Sequence, residues 1–295
     1  MYDIIVVGAG PAGLTSALYA SRAGKNVLVI EANSYGGKIV NAAKIENYPA
    51  IELISGFDFA TNLYNQVKKF GVHFKFETVL RVESDKTVVT TKDKYKAKAV
   101  ILATGSFNKK LNIYNEDKFI GSGVSYCATC DGNFYKNKNV AVIGSGETAL
   151  QDALYLSDIA NTVYIINRND SFKTISNVTK IIEEKENINV FYNSKVVRIN
   201  GDSRVTSITM LDNNSEKEIN LDGIFIAIGE EPKNEIFKNV VDVDEKGYIK
   251  SEDGVHTKTP GIYVAGDTRV KDLRQLTTAV SDGSLAATIA IKELS

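Results

Sequence analysis

Apolar residues at the start of the chain fall into short β-branched runs separated by a stretch of helical spacing. Asp3–Val7 and Asn26–Ile30 read as strands, and Leu14–Ala23 between them reads as a helix. Gly8-Ala9-Gly10-Pro11-Ala12-Gly13 fills the first junction, and Glu31 ends the second strand. The same order recurs as Asn139–Ile143, Gly144-Ser145-Gly146-Glu147-Thr148-Ala149, Leu150–Ser157 and Thr162–Ile166. Two βαβ starts so far apart predict two nucleotide-binding units rather than a short-period repeat. Two more apolar runs, Ala99–Ala103 and Ile262–Ala265, lead into Thr104-Gly105 and Gly266-Asp267. A last helix is expected from about Ser281 to Leu294. The pattern is α/β, with two Rossmann-like units of the three-layer ββα type. The polar stretches around Phe107–Lys110 and Glu230–Lys238 are the expected crossings between them.

Composition narrows the function classes. A chain of 295 residues suits two medium domains. With 35 Lys plus Arg against 36 Asp plus Glu, no charge excess points to a polyanion. The run Glu183-Glu184-Lys185-Glu186 is mixed in sign and reads as a solvated helix face. No apolar run approaches the ~20 residues that span a bilayer. The first strand follows Met1 so closely that no signal peptide is expected, and a cytoplasmic location is the expectation.

The chain has two cysteines, Cys127 and Cys130, with Asp131 following. A Cys-x-x-Cys pair can close a small ring and pass electrons on, and the reducing cytoplasm suits a pair that cycles. A bare structural disulfide is the alternative. Exchange needs a thiolate, and a released thiol needs a proton. His73 and His256 lie far from the pair in sequence, so Asp131 is the candidate proton handler; the alternative is a helix cap or turn residue.

Gly8, Gly10 and Gly13 allow a tight turn and close approach to a pyrophosphate at a helix N-terminus, where Pro11 and Ala12 begin the helix. Glu31 is placed to accept from the adenosine ribose hydroxyls. The fingerprint alone allows FAD or NAD. Ser34-Tyr35-Gly36-Gly37-Lys38 and Asp267 favour FAD, because an acid at a strand end can bind a ribitol. Ser281-Asp282-Gly283 is read as a further helix N-terminus near the flavin ring. The second fingerprint also predicts a nucleotide, unless its site is weakened or unused.

Ser125-Tyr126-Cys127-Ala128-Thr129-Cys130-Asp131-Gly132 resembles the active site of the low-molecular-weight thioredoxin reductases. Gly8–Gly13, Ala103-Thr104-Gly105, Ala265-Gly266-Asp267 and Leu273-Arg274-Gln275 resemble the same family nearly end to end. The resemblance implies that the second unit is inserted into the first, as an FAD domain over 1–108 and 239–295 and a pyridine-nucleotide domain over 109–238 that carries the cysteines. It also implies a homodimer and a thioredoxin substrate, with Cys130 nearest the flavin and Cys127 attacking the thioredoxin disulfide. Rotation of one domain against the other would then present the flavin alternately to nicotinamide and disulfide. Gly36, Gly37, Lys38, Asn47, Thr104, Gly105, Gly266, Asp267, Arg274, Gln275 and Leu276 join the first glycine turn and Glu31 as the expected FAD set. Gly144, Gly146, Glu147, Thr148, Ala149, Arg168 and Lys173 form the expected NADPH set. No metal site is expected.

One motif departs. NADPH-using members carry His-Arg-Arg-x-x-x-Arg where this chain has Asn167-Arg168-Asn169-x-x-x-Lys173. Lysine cannot form the planar fork of arginine on a 2′-phosphate. NADPH is the expected donor; reduced ferredoxin is the main rival, and NADH is third because no acid follows Ile166. A redox-sensing flavoprotein without turnover is the reading from another class. A reductase feeding a peroxidase would call for a further redox module, and a two-domain ferredoxin–NADP reductase needs no dithiol.

Overall fold

The structure is a computed structural model that describes every residue except Ala43, Thr174, Ile175, Ser176 and Ser295. By internal contacts the chain divides into two compact units, Met1–Phe107 with Glu231–Ser295, and Asn108–Glu230.

The first unit opens with β1 (Tyr2–Val7), α1 (Pro11–Arg22) and β2 (Val27–Glu31), followed by α2 (Gly56–Lys68) and β3 (His73–Phe76). Strands β4 (Val79–Val82) and β5 (Thr87–Thr90) form an antiparallel ribbon on β6 (Lys94–Leu102). The strand order is β3-β2-β1-β6-β5-β4, with β1 parallel to both β2 and β6. Ile4, Ile5 and Val6 are wholly buried, as expected for a parallel strand covered on both faces. Alternation sends Ile4 and Val6 to the layer containing Leu14 and Ala17, and Ile5 and Val7 to the layer containing Phe237 and Ile249.

Short strands β7 (Phe107–Asn108) and β16 (Glu230–Glu231) pair where the chain leaves and re-enters the first unit. Between them lie β8 (Val124–Ser125), α3 (Ala128–Asp131), β9 (Asn139–Ile143), α4 (Glu147–Ser157), β10 (Thr162–Ile166), α5 (Asn177–Glu184) and β11 (Ile188–Phe191). Strands β12 (Ser194–Gly201), β13 (Val205–Asp212) and β14 (Ser215–Asn220) form an antiparallel sheet, and β15 (Gly223–Ile226) returns to the parallel one. That parallel sheet has the order β11-β10-β9-β15-β8. The first unit then closes with β17 (Ile262–Val264), parallel to β6, and α6 (Leu276–Glu293). Among the described residues no helix is long and apolar enough to cross a membrane.

One expected boundary is corrected. The last helix starts at Leu276, not near Ser281, because Gln275 and Thr278 form a reciprocal capping box. Ser281-Asp282-Gly283 therefore lies inside α6 and presents no helix N-terminus. Gly283 has a packing role instead: a Cβ there would lie 2.2 Å from the Ala12 carbonyl oxygen, so its absence lets α6 approach α1.

Candidate active site

In the first unit the turn from β1 into α1 is fixed by backbone contacts. Gly8 has φ +105°, and a Cβ there would lie 2.4 Å from the Ala103 carbonyl oxygen. At Gly13 a Cβ would lie 1.9 Å from the Gly8 carbonyl oxygen. Gly10 differs, because nothing lies within 4 Å of where its Cβ would be. It caps α1 with no side-chain hydrogen bond, and Pro11 follows in the first turn. The result is an open cradle beneath a helix N-terminus, which suits a pyrophosphate. Glu31 holds the turn through Oε2, which accepts from the Ala9 amide at 2.8 Å, while Oε1 accepts from the Asn33 amide at 3.0 Å.

Chain-distant residues converge on this turn. The Gly36 amide donates to the Ala9 carbonyl at 2.8 Å, and Gly37 approaches Gly10. A Cβ at Gly266 would lie 2.7 Å from Ala12 Cβ. Asp267 faces Lys38 at 3.7 Å and Lys271 at 3.2 Å. Asn47 Nδ2 donates to Gln275 Oε1 at 3.3 Å, and Thr104 Oγ1 lies 3.0 Å from Thr268 Oγ1. Arg274 donates to the Asp267 carbonyl at 3.5 Å and stacks over Tyr248 at 4.0 Å. Leu276 begins α6 and Gly105 follows Thr104 at φ +69°. The open glycine cradle, the helix terminus and the acid at the end of β2 fit an adenine dinucleotide, and the polar groups around Asp267 fit its polyol chain.

Sequence reasoning missed the buried cation Lys271. It bridges Asp267 to Asp282, whose carboxylate also accepts from Arg269 at 2.9 and 2.8 Å and from the Gly266 amide at 3.0 Å. Burial pushes the Asp282 carboxyl up, but Arg269 and Lys271 together hold it below its ordinary value. The i, i+4 spacing of Asp267 and Lys271 was the available signal.

The second unit repeats the first turn with different supports. Gly144 would place a Cβ 2.4 Å from the Ala227 carbonyl oxygen, and Gly146 has nothing within 4 Å. Ala149 replaces the third glycine and is wholly buried. Glu147 and Thr148 open α4, and Glu147 Oε1 accepts from Gln151 at 3.0 Å. Asn167, after β10, is wholly buried and bonds the Ser171 carbonyl and the Asn169 amide, both at 2.9 Å. Asn169 Nδ2 donates to Ser145 Oγ at 3.0 Å, inside the glycine turn. Arg168 and Lys173 are exposed. The two asparagines thus build the loop, leaving the two cations as the charged groups available to a phosphate.

Cys127 and Cys130 form a disulfide, with Cα atoms 5.3 Å apart, at the start of α3. Asp131 ends that helix, and its amide donates to the Cys127 carbonyl at 3.1 Å. Burial raises the Asp131 carboxyl above its ordinary value, and a hydrogen bond from Ser125 works against the rise. Tyr126, beside Cys127, donates to the buried Glu116 at 2.7 Å, and Glu116 also accepts from the Leu111 and Asn112 amides at 3.0 and 2.8 Å. Glu116 so ties the residue before Cys127 to the segment just after the crossing. Glu116 was not singled out from the sequence, and Ser125 entered only as the first residue of the run that resembles the family's active site, with no role of its own. Among the described residues no cluster of three or more His, Cys, Asp or Glu could hold a metal.

The profile of the pyridine nucleotide-disulphide oxidoreductase family matches residues 2–283. A thioredoxin reductase of Listeria innocua is 39% identical over 292 residues, covering 97% of this chain and 92% of the relative. That of Bacillus subtilis (strain 168) is 39% identical over 293 residues, covering 97% and 93%. The crystal structure of thioredoxin reductase from Streptococcus pyogenes MGAS5005 superposes with a TM-score of 0.95 at 35% identity, covering 100% of this chain and 98% of that one. With a Cys-x-x-Cys disulfide, two glycine turns and this similarity along the whole length, the chain belongs to the pyridine nucleotide-disulphide oxidoreductases, among the low-molecular-weight thioredoxin reductases.

Proposed function

We propose that the protein is a thioredoxin-disulfide reductase that passes two electrons through FAD in the first unit and the Cys127/Cys130 pair to thioredoxin. The observation that carries this is the Cys127–Cys130 disulfide with a partly buried carboxylate one residue on. FAD, when bound, supplies the electron pair that opens the disulfide. Gly8, Gly10 and Gly13 take its pyrophosphate, Glu31 its ribose, and Asp267 its polyol. Arg274 and Gln275 orient the ring end. The opened pair is a dithiol. Cys127, as thiolate, attacks one sulfur of the thioredoxin disulfide, forming an intermolecular disulfide and releasing a thioredoxin thiolate. Asp131 gives that thiolate a proton. Cys130 gives its proton to the Asp131 carboxylate and attacks Cys127 Sγ, which reforms the intramolecular disulfide and releases the second thioredoxin sulfur as a thiolate that takes up that proton.

NADPH is the proposed donor, held by Gly144, Gly146 and the start of α4, with Arg168 and Lys173 at the 2′-phosphate. The loss of Asn167 and Asn169 to the loop supports a second reading, in which ferredoxin reduces the flavin and the nucleotide turn is little used. The family resemblance supports a homodimer, and the chemistry of the pair a cytoplasmic setting. Reduction of the flavoprotein by NADPH, NADH and reduced ferredoxin, each followed by rapid mixing, tests the donor. Bleaching by NADPH is expected; bleaching by ferredoxin alone would replace it. Sedimentation of the holoenzyme tests the dimer.

A further inference from the structure

Ser125 ends β8 with 5% of its surface exposed, two residues before Cys127. Its Oγ is the meeting point of three groups. It lies 2.6 Å from Asp131 Oδ2, accepts the Cys127 amide at 3.0 Å, and lies 3.3 Å from the Cys127 carbonyl oxygen. A hydroxyl has one proton to give and two lone pairs to offer. With Asp131 ionised, the proton belongs to the carboxylate, because that contact is shorter and charge-assisted. The Cys127 carbonyl is then served by the Asp131 amide at 3.1 Å. With Asp131 protonated, its own O–H can donate to Ser125 Oγ. The serine proton is thereby released to turn toward the Cys127 carbonyl. Each arrangement satisfies its donors, and only the hydroxyl rotor differs.

We propose that Ser125 is a positioning residue of the dithiol site, whose hydroxyl couples the protonation of Asp131 to the backbone that carries Cys127. The inference rests on Asp131 being the proton handler of the reaction. A serine that merely turned the chain would need only its bond from the Cys127 amide; the contact with Asp131 is additional. The other groups around Asp131 do not duplicate that contact. Tyr135 follows on the next 3-10 turn, where its hydroxyl is pushed up to about 12 by burial first and by Asp131 second. From α4, which packs on α3, Tyr155 reaches Gly132. Asp152, one turn earlier on that helix, is pushed to about 6 by burial. Neither Tyr135 nor Asp152 stabilises a charged Asp131, whereas the Ser125 hydrogen bond does.

The test follows the Asp131 carboxyl directly, by ¹³C NMR of selectively labelled holoenzyme, with Asp131→Asn assigning the signal. Ser125→Ala should move its midpoint upward by about one pH unit, as expected for losing one charge-assisted hydrogen bond. Ser125→Thr should restore it. If Ser125→Ala does not fold, Ser125→Cys, close in size and a weaker donor, should give a smaller upward shift. A midpoint that stays in place in Ser125→Ala, or in Ser125→Cys where Ser125→Ala does not fold, overturns the proposal. Thioredoxin turnover of Asp131→Asn is read separately: an unchanged rate would remove Asp131 as proton handler while leaving the carboxyl shift intact.

Discussion

The two glycine turns start from one grammar and end with different supports. In the first, Glu31 closes β2 with a carboxylate that accepts from Ala9. In the second, Asn167 and Asn169 close the corresponding loop with amides bonded to Ser171 and Ser145. The third position differs too: Gly13 is required by a backbone oxygen, whereas Ala149 is accommodated. Backbone sterics therefore maintain the turn in both units, while different side chains close the loop at the strand end. The second unit adds what the first lacks, a dithiol with its own carboxylate.

The largest effect should come from that added chemistry. Cys127→Ser should lower thioredoxin turnover by roughly 10³-fold or more while the flavin stays bound. Retained turnover would mean that electrons leave by another route. Next comes the third turn position. Gly13→Ala puts a methyl against a backbone oxygen and should leave purified protein with less than about a tenth of its flavin. Ala149→Gly removes a methyl from the first turn of α4 and should cost only about 1 kcal/mol in chemical unfolding. Equal effects at the two positions would erase the contrast.

These contrasts were partly legible in the sequence. Gly8 and Gly144 could be read because a positive φ beside a passing strand admits little else, and that constraint leaves a spacing. The α/β class followed from β-branched runs around those glycines. The start of α6 was not legible, because its cap is Gln275 paired with Thr278 rather than a short acidic or hydroxyl residue. Asn169 was read as a lost arginine, yet its amide bonds Ser145 in the glycine turn, and such a contact has no mark in a single residue letter. Ser125 and Lys271 act through partners brought close only by folding.

Smaller effects sharpen the comparison at its edges. Asn169→Arg restores a guanidinium beside the second turn and should lower the KM for NADPH about tenfold, one charge-assisted contact's worth. An unchanged KM would favour the ferredoxin reading. The smallest prediction separates the units by pH, since both histidines lie in the first. His256 bonds Asp253 and Glu293, and the Asp253 bond first and the Glu293 bond second raise its imidazole. That stabilisation is complete below the ordinary value of 6.5 and is lost as pH climbs through the raised one. Asp253, held down first by His256, and Glu293, held down first by Tyr263 and then by His256, contribute above their ordinary values of 3.8 and 4.5 and lose that as pH falls through the lowered ones. The window of greatest benefit is therefore pH 4.5 to 6.5. His256→Ala should lower Tm by roughly 1–2 °C at pH 6 and by less at pH 9, because the groups are exposed.

The most direct test follows the bound flavin's visible absorbance through one cycle in anaerobic rapid mixing. The holoenzyme, reduced with a stoichiometric electron pair, should regain its colour when oxidised thioredoxin is added, and Cys127→Ser should remain bleached. Equal recovery in the two proteins would contradict transfer through the Cys127–Cys130 pair.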